Sequence, residues 1–256
     1  MSYRRKKLLA LFCATALSVT TVAGCTGKIS STDNIVSTET EVNAEETAAQ
    51  SETGTFSSAD MFTERDLAGT YEESEAVYVT LSDGGITGET AGVAINGQTV
   101  TITEEGTYVF SGTLSEGQIV VDADDAKVQI VLDNVDITCA SSAAVYVKSA
   151  EKVFVTLAEG SQNTLRNTDE YVTIDDNNID AVIFSKSDLT LNGTGSLTIV
   201  SAEGHGIVSK DDLVLTSGTY VITSASHGLS VHTISQQQGT HYWEKTVCVS
   251  QMEPLF

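Results

Sequence analysis

The segment Ile183-Phe184-Ser185-Lys186-Ser187-Asp188-Leu189-Thr190-Leu191 recurs as Ile207-Val208-Ser209-Lys210-Asp211-Asp212-Leu213-Val214-Leu215, which sets Lys186 against Lys210 at an offset of 24 residues. Six of the nine pairs are identical. His205-Gly206-Ile207 returns as His227-Gly228-Leu229 at an offset of 22, and Ala143 to Leu157 is a looser earlier copy. A period in the low twenties is that of one turn of a β-solenoid, in which each strand hydrogen-bonds to its equivalent one turn away. An immunoglobulin-like sandwich would explain dense short strands but not a register-true repeat.

The local pattern agrees with the repeat. Strand-length runs rich in Val, Ile, Leu and Thr are separated by Gly, Asp and Asn: Val77 to Leu81, Thr99 to Thr103, Thr107 to Phe110, Gln118 to Val121 and Lys127 to Leu132. They continue as Val145 to Val147, Val153 to Leu157, Val182 to Phe184, Leu189 to Leu191, Leu197 to Val200, Ile207 to Val208, Leu213 to Thr216 and Tyr220 to Thr223. No helical pattern alternates with them, which argues against βαβ units. The single proline is Pro254, so every residue of the strand region can donate its backbone N–H to a ladder. The expected fold class is all-β, a parallel β-helix. Side-chain alternation puts Ile199, Leu213, Leu215 and Ile222 inside and Thr190, Thr198, Val214 and Thr223 outside. Gly206, Gly218 and Gly228 are expected at corners that residues with Cβ resist.

The first residues set the compartment. Arg4, Arg5, Lys6 and Lys7 precede an apolar run from Leu8 to Leu17, too short to span a bilayer, as in a signal peptide. The run ends at Val22-Ala23-Gly24-Cys25, which resembles a lipobox and predicts lipidation of Cys25 after removal of residues 1–24. Residues 25–58 are rich in Ser, Thr, Glu and Ala, too poor in large apolar groups to fold, and read as a disordered tether. Ser58 to Leu67 carries Met61, Phe62 and Leu67 and predicts a short capping helix ahead of the β-helix, which spans 59–230. The expected location is the extracellular face of the cell membrane, held by lipid alone. The formal charge of −22 becomes −26 once the four basic residues of 1–24 leave, and such a surface repels nucleic acid. Of the four cysteines only Cys139 and Cys248 remain in the body, with neither zinc nor redox spacing, though one disulfide between them is open.

Met61-Phe62-Thr63-Glu64-Arg65-Asp66-Leu67, the run Val128 to Thr138 and His205-Gly206-Ile207-Val208-Ser209-Lys210-Asp211-Asp212-Leu213 resemble the carbohydrate-binding domain family of cell-surface proteins in anaerobic Gram-positive bacteria. The resemblance runs from about Met61 to Ser230. It implies a right-handed parallel β-helix similar to pectate lyases, calcium ions on its flank, and affinity for polysaccharide without cleavage, either cellulose or an acidic plant-type glycan such as polygalacturonate. After Ser230 the sequence departs: Val231-His232-Thr233-Ile234-Ser235-Gln236-Gln237-Gln238 replaces the expected Gly-Lys-Asp turn, and the sole Trp and Pro follow with Cys248. Residues 231–256 thus read as an atypical tail, either a frameshift that truncates the β-helix or a divergent cap, since terminal repeats are atypical.

Calcium takes roughly six to eight oxygen ligands, which acidic turns between strands can supply. Asp175-Asp176-Asn177-Asn178-Ile179-Asp180 is the densest such turn, with Asp175, Asp176, Asn178 and Asp180 as candidate ligands, although the segment equally suits a solvated turn. The 24-residue offset stacks Asp188 under Asp212, about 4.8 Å apart at the backbone. These like charges need either a cation or the equally stacked Lys186 and Lys210 to compensate them. Lys186, Lys210, His205 and His227 are the candidate carbohydrate-binding residues; the histidines could instead form a structural ladder. Tyr146, Phe184 and Tyr220 could stack on sugars or point into the core.

Two other function classes stand beside binding. A lyase of the pectate-lyase type would need an Arg or Lys base, and Arg166 is the only arginine after Arg65. A purely structural or adhesive stalk would need no site. No catalytic residue is assigned, and a binder is the expected outcome.

Overall fold

The computed structural model describes residues 62–172 and 178–236. The expected signal peptide, Cys25, the tether, Asp175, Asp176 and everything after Gln236, Cys248 included, lie outside the described residues.

A short helix, α1 (Glu64–Ala68), opens the described chain with a capping box: the Thr63 hydroxyl accepts the Asp66 N–H, and the Asp66 carboxylate accepts the Thr63 N–H at 2.9 Å. Gly69, at φ 58°, ends it in the left-handed conformation. A single 3-10 turn at Glu73–Glu75 leads into strands. These are β1 (Val77–Leu81), β2 (Thr87–Gly88), β3 (Val93–Asn96), β4 (Thr99–Ile102), β5 (Gly106–Leu114) and β6 (Gln118–Asp122). Next come β7 (Lys127–Thr138), β8 (Val145–Ser149), β9 (Lys152–Leu157), β10 (Gln162–Asn167) and β11 (Ala181–Ser185). The last are β12 (Asp188–Gly193), β13 (Ser196–Ser201), β14 (His205–Leu215), β15 (Thr219–Ser224) and β16 (Leu229–Gln236).

All sixteen join one curled, open sheet, and the described chain is nearly all-β. The sheet is mixed, because β1 pairs with β2, and β3 with β4, in antiparallel fashion. Every other pairing is parallel and links equivalent positions of successive repeats. Leu189 lies opposite Leu213, and Ile183 opposite Ile207, at the offset of 24 that the sequence repeat sets.

Three stacked columns of apolar side chains follow from this register. On a first face Val100, Ile119, Val145, Ile183, Ile207 and Leu229 lie one above another. On a second the column is Tyr108, Ile130, Val155, Leu191 and Leu215. On a third it is Leu114, Ile137, Leu165, Ile199 and Ile222. All sixteen of these residues are buried in one continuous core. Burial of each aliphatic side chain is worth about 1.5–3 kcal/mol, and the columns are the main source of stability.

The corner between the second and third faces needs a left-handed residue. Gly112 pairs with Leu81 and Gly193 with Leu157, both glycines at φ 99°. A Cβ would stand 2.3 Å from the Leu81 carbonyl oxygen at the first and 2.2 Å from that of Leu157 at the second. Asn134, at φ 58°, makes the corresponding bend in β7.

Two expectations change. Gly218, at φ 103°, is a corner residue, but Gly206 lies inside β14 without positive φ, and Gly228 has no positive φ either. Gly206 is small because a Cβ would meet Ile222 Cγ2 at 2.4 Å, and Gly228 carries no such constraint. Thr198 and Thr223 face outward as expected, but Thr190 and Val214 are buried although they point away from the core. For Thr190 the cause is α1, which lies across the outer side of the second face instead of capping an end. Thr190 donates to Asp66, Thr216 donates to the Asp66 carbonyl at 2.6 Å, and the Arg65 guanidinium sits 4.5 Å over the Phe154 ring. At the far end β16 keeps its pairing with β14 through Gln236, beyond the switch in composition at Ser230.

Candidate functional site

The outer side of the first face gathers several of the candidate residues. His205 opens β14 opposite Ala181, which brings it beside Asp180, the residue before β11; His205 Nε2 and Asp180 Oδ2 are 3.8 Å apart. His227, one repeat later, stacks on His205 with ring centroids 4.9 Å apart and planes within 12°. The backbone N–H of His227 donates to His205 Nδ1 at 3.3 Å. Burial lowers the His205 pKa, and the His227 ring and Lys210 ammonium add to that, with Asp180 acting the other way. His205 is therefore neutral at pH 7 and belongs to a hydrogen-bonded ladder, the structural alternative open in the sequence.

The aromatic candidates are not sugar platforms. Tyr146, Phe184 and Tyr220 are at most 4 % exposed. Tyr146 meets Phe184 edge-on at 6.1 Å, and Tyr171 and Ile179, from the segment before β11, pack in the same cluster and cover them. Lys210 stays exposed with its ammonium 5.2 Å from the Phe184 ring centroid, and Lys186 is exposed at the same corner, just beyond the paired Ser185 and Ser209.

Asp188 and Asp212 do come together. The Asp188 carboxylate accepts the Asp212 N–H at 3.3 Å. Burial raises its pKa, as do the charges of Asp211 and Asp212, while that hydrogen bond and the Lys152 ammonium oppose the rise. The compensating cation in reach is thus Lys152, opposite Asp188 in the β9–β12 pairing, and it was not singled out in the sequence. Lys152 also donates to the carboxylate of Asp66 at 2.8 Å. The Ser185 and Ser209 hydroxyls close this corner by donating to the carbonyls of Ser187 and Asp212. That explains the serine in both copies of the repeat.

Among the described residues no three His, Cys, Asp or Glu side chains converge as a metal site. One orphaned group does fit a cation: Oδ1 of Asp180 is buried and accepts no hydrogen bond from the described residues. Asn178, two residues earlier, is exposed, and Asp175 and Asp176 lie outside the described residues. Cys139 is buried, which pushes its thiol up to about 11 and leaves it protonated at neutral pH. Arg166, the only arginine after Arg65, has its guanidinium bound to the Asp136 carboxylate.

Comparison with known proteins bears on this surface. The family described as "Carbohydrate-binding domain-containing protein" matches residues 96–241. A carbohydrate-binding domain-containing protein of Acetivibrio thermocellus is 40% identical over 134 residues, 51% of this chain and 47% of that protein, so the chain spans about half the length of this relative. Among solved structures, a polysaccharide lyase-like protein from C. thermocellum, a gadolinium derivative, superimposes with a TM-score of 0.57 at 27% identity. The match covers 68% of this chain and 92% of that one. With more than half of its length matched by the family, and with the strands carrying the repeat inside that match, the chain belongs to the carbohydrate-binding domain-containing protein family.

Proposed function

We propose that this protein is a lipid-anchored cell-surface binder of acidic polysaccharide, held through calcium on the flank that carries Asp180, and that its sheet is a right-handed parallel β-helix. The carrying observation is the orphaned Asp180 Oδ1. A buried carboxylate oxygen with no donor is costly, and a cation removes that cost. Asp180, Asn178 and the intervening carbonyls would supply oxygens, joined by Asp175 and Asp176. Calcium also resolves the charge problem, because a chain of net charge −22 repels a polyuronate unless cations bridge carboxylates from both sides. Binding is favoured over cleavage because Arg166 is engaged by Asp136 and Arg65 by Phe154, while Lys186 and Lys210 hold equivalent places in a repeat, not the unique place of a base.

Retention on immobilised polygalacturonate tests this. It should be lost in chelator, return in calcium, and fall at least tenfold when Asp175, Asp176 and Asp180 are changed together to Ala. Equal retention in chelator and calcium, with the protein folded in both, sinks the bridging mechanism. Tagging with a fatty-acid analogue tests the anchor: the wild type should be labelled and Cys25→Ala should not.

A further inference from the structure

Away from the Asp180 flank, the segment Leu67–Glu73 lies against the body and lines one wall of a cleft of about 970 Å³. The other wall is the corner between the second and third faces. Asp133, Glu159, Thr194 and Ser217 line it, and they come from four successive repeats, as the pairings of Leu132 with Leu157, Leu157 with Gly193 and Leu191 with Leu215 show. At about 4.8 Å per strand, four repeats span roughly 14 Å, so the cleft runs along the stack as an extended chain would lie.

The chemistry of the lining selects the ligand. Glu73, Asp133 and Glu159 contribute carboxylates, Thr194 and Ser217 hydroxyls, and among the described residues no Lys, Arg or His lines the space. A uronate would bring its negative charge against these carboxylates with no cation to meet it. The hydroxyls of a neutral sugar are donors, and hydrogen bonds to carboxylates are about twice as strong as those between neutral groups. Tyr71 adds an aromatic ring, packed on the body beside Ala158 and Val131 and lining the cleft. Its apolar face suits the C–H face of a pyranose. The volume lies at the upper end of the ~300–1,000 Å³ typical of ligand pockets, enough for a short oligosaccharide.

We propose that this cleft is a second glycan site, independent of cations, that takes a short stretch of neutral polysaccharide. It rests on the reading that the module binds glycan, and it adds a site of the opposite charge preference. Calorimetric titration of the full chain in chelator, with cellotetraose, xylotetraose, mannotetraose and tetragalacturonate as probes, tests it. At least one neutral tetrasaccharide should bind with a millimolar or tighter Kd, and tetragalacturonate should give no heat.

Thr194 is exposed, so Thr194→Trp should fill the cleft at unchanged Tm and weaken neutral binding at least tenfold. Tyr71→Ala should weaken it likewise. Both variants should keep wild-type, calcium-dependent retention on polygalacturonate, which separates this site from the Asp180 flank. The proposal is overturned if no neutral probe binds, if tetragalacturonate binds equally in chelator, or if both variants, folded, bind the neutral probe as the wild type does.

Discussion

Asp66→Ala should destabilise the protein by about 3 kcal/mol in denaturant unfolding, the lower end of the cost of removing one partner from a buried ion pair. Asp66 is 2 % exposed, and its carboxylate holds the α1 segment on the second face through Lys152 and Thr190 and closes the capping box through the Thr63 N–H and hydroxyl. The substitution takes from the Lys152 ammonium, 17 % exposed, its partner at 2.8 Å and leaves it the Asp188 carboxylate across the β9–β12 pairing. A second change, Lys152→Met, should therefore recover a good part of the loss, and a coupling of less than about 0.5 kcal/mol between the two sites would contradict the pairing.

The same residue sets a pH dependence. Burial by itself raises the Asp66 pKa, but Lys152, Thr190 and Thr63 outweigh it and hold the carboxyl below its ordinary 3.8. A depressed folded pKa contributes stability that is present above the unfolded value and is lost as pH falls through the folded one. Stability should thus fall more steeply below about pH 4 in the wild type than in Asp66→Asn. A wild-type curve parallel to that of the variant would show that the carboxylate is not held this way.

Gly193→Ala should be among the most damaging single methyls in the described chain. At φ 99° an L-residue is strained, and the new Cβ would lie 2.2 Å from the oxygen and 2.5 Å from the nitrogen of Leu157, backbone atoms that cannot step aside without breaking the β9–β12 pairing. Gly97 is the control: it is also left-handed, at φ 60°, but a Cβ there meets nothing within 4 Å. Gly97→Ala should cost about 1 kcal/mol for the left-handed conformation alone. Gly193→Ala should cost at least about 4 kcal/mol, or leave no cooperative unfolding transition. Similar stabilities for the two variants would mean that the corner is looser than the register implies.

How much of this was legible in the sequence depends on which neighbours a residue has. Leu189 and Leu213 were placed together by the repeat because inward columns repeat their chemistry from turn to turn. β10 was missed because Gln162–Asn167 offers a single inward aliphatic, Leu165, between polar residues that the third face tolerates. The burial of Thr190 was out of reach for another reason: what covers it, Asp66, is 124 residues away and carries no repeat signal. The stacked histidines and the contact of Asp188 with Asp212 followed from the offsets, whereas the role of Lys152 depended on one ammonium turning to two different acids. Corner glycines were half legible. A glycine can be required by φ, as at Gly218, or by contact, as at Gly206, and spacing does not tell these apart.

The central claim is that this module holds polysaccharide without cutting it. Its most direct test is calorimetric titration of the full chain with polygalacturonate in calcium and in chelator, with the unsaturated-product absorbance followed in the same samples. Saturable heat in calcium, none in chelator, and flat absorbance in both are expected. Rising absorbance would make the protein a lyase, and absence of heat in calcium from folded protein would contradict the account.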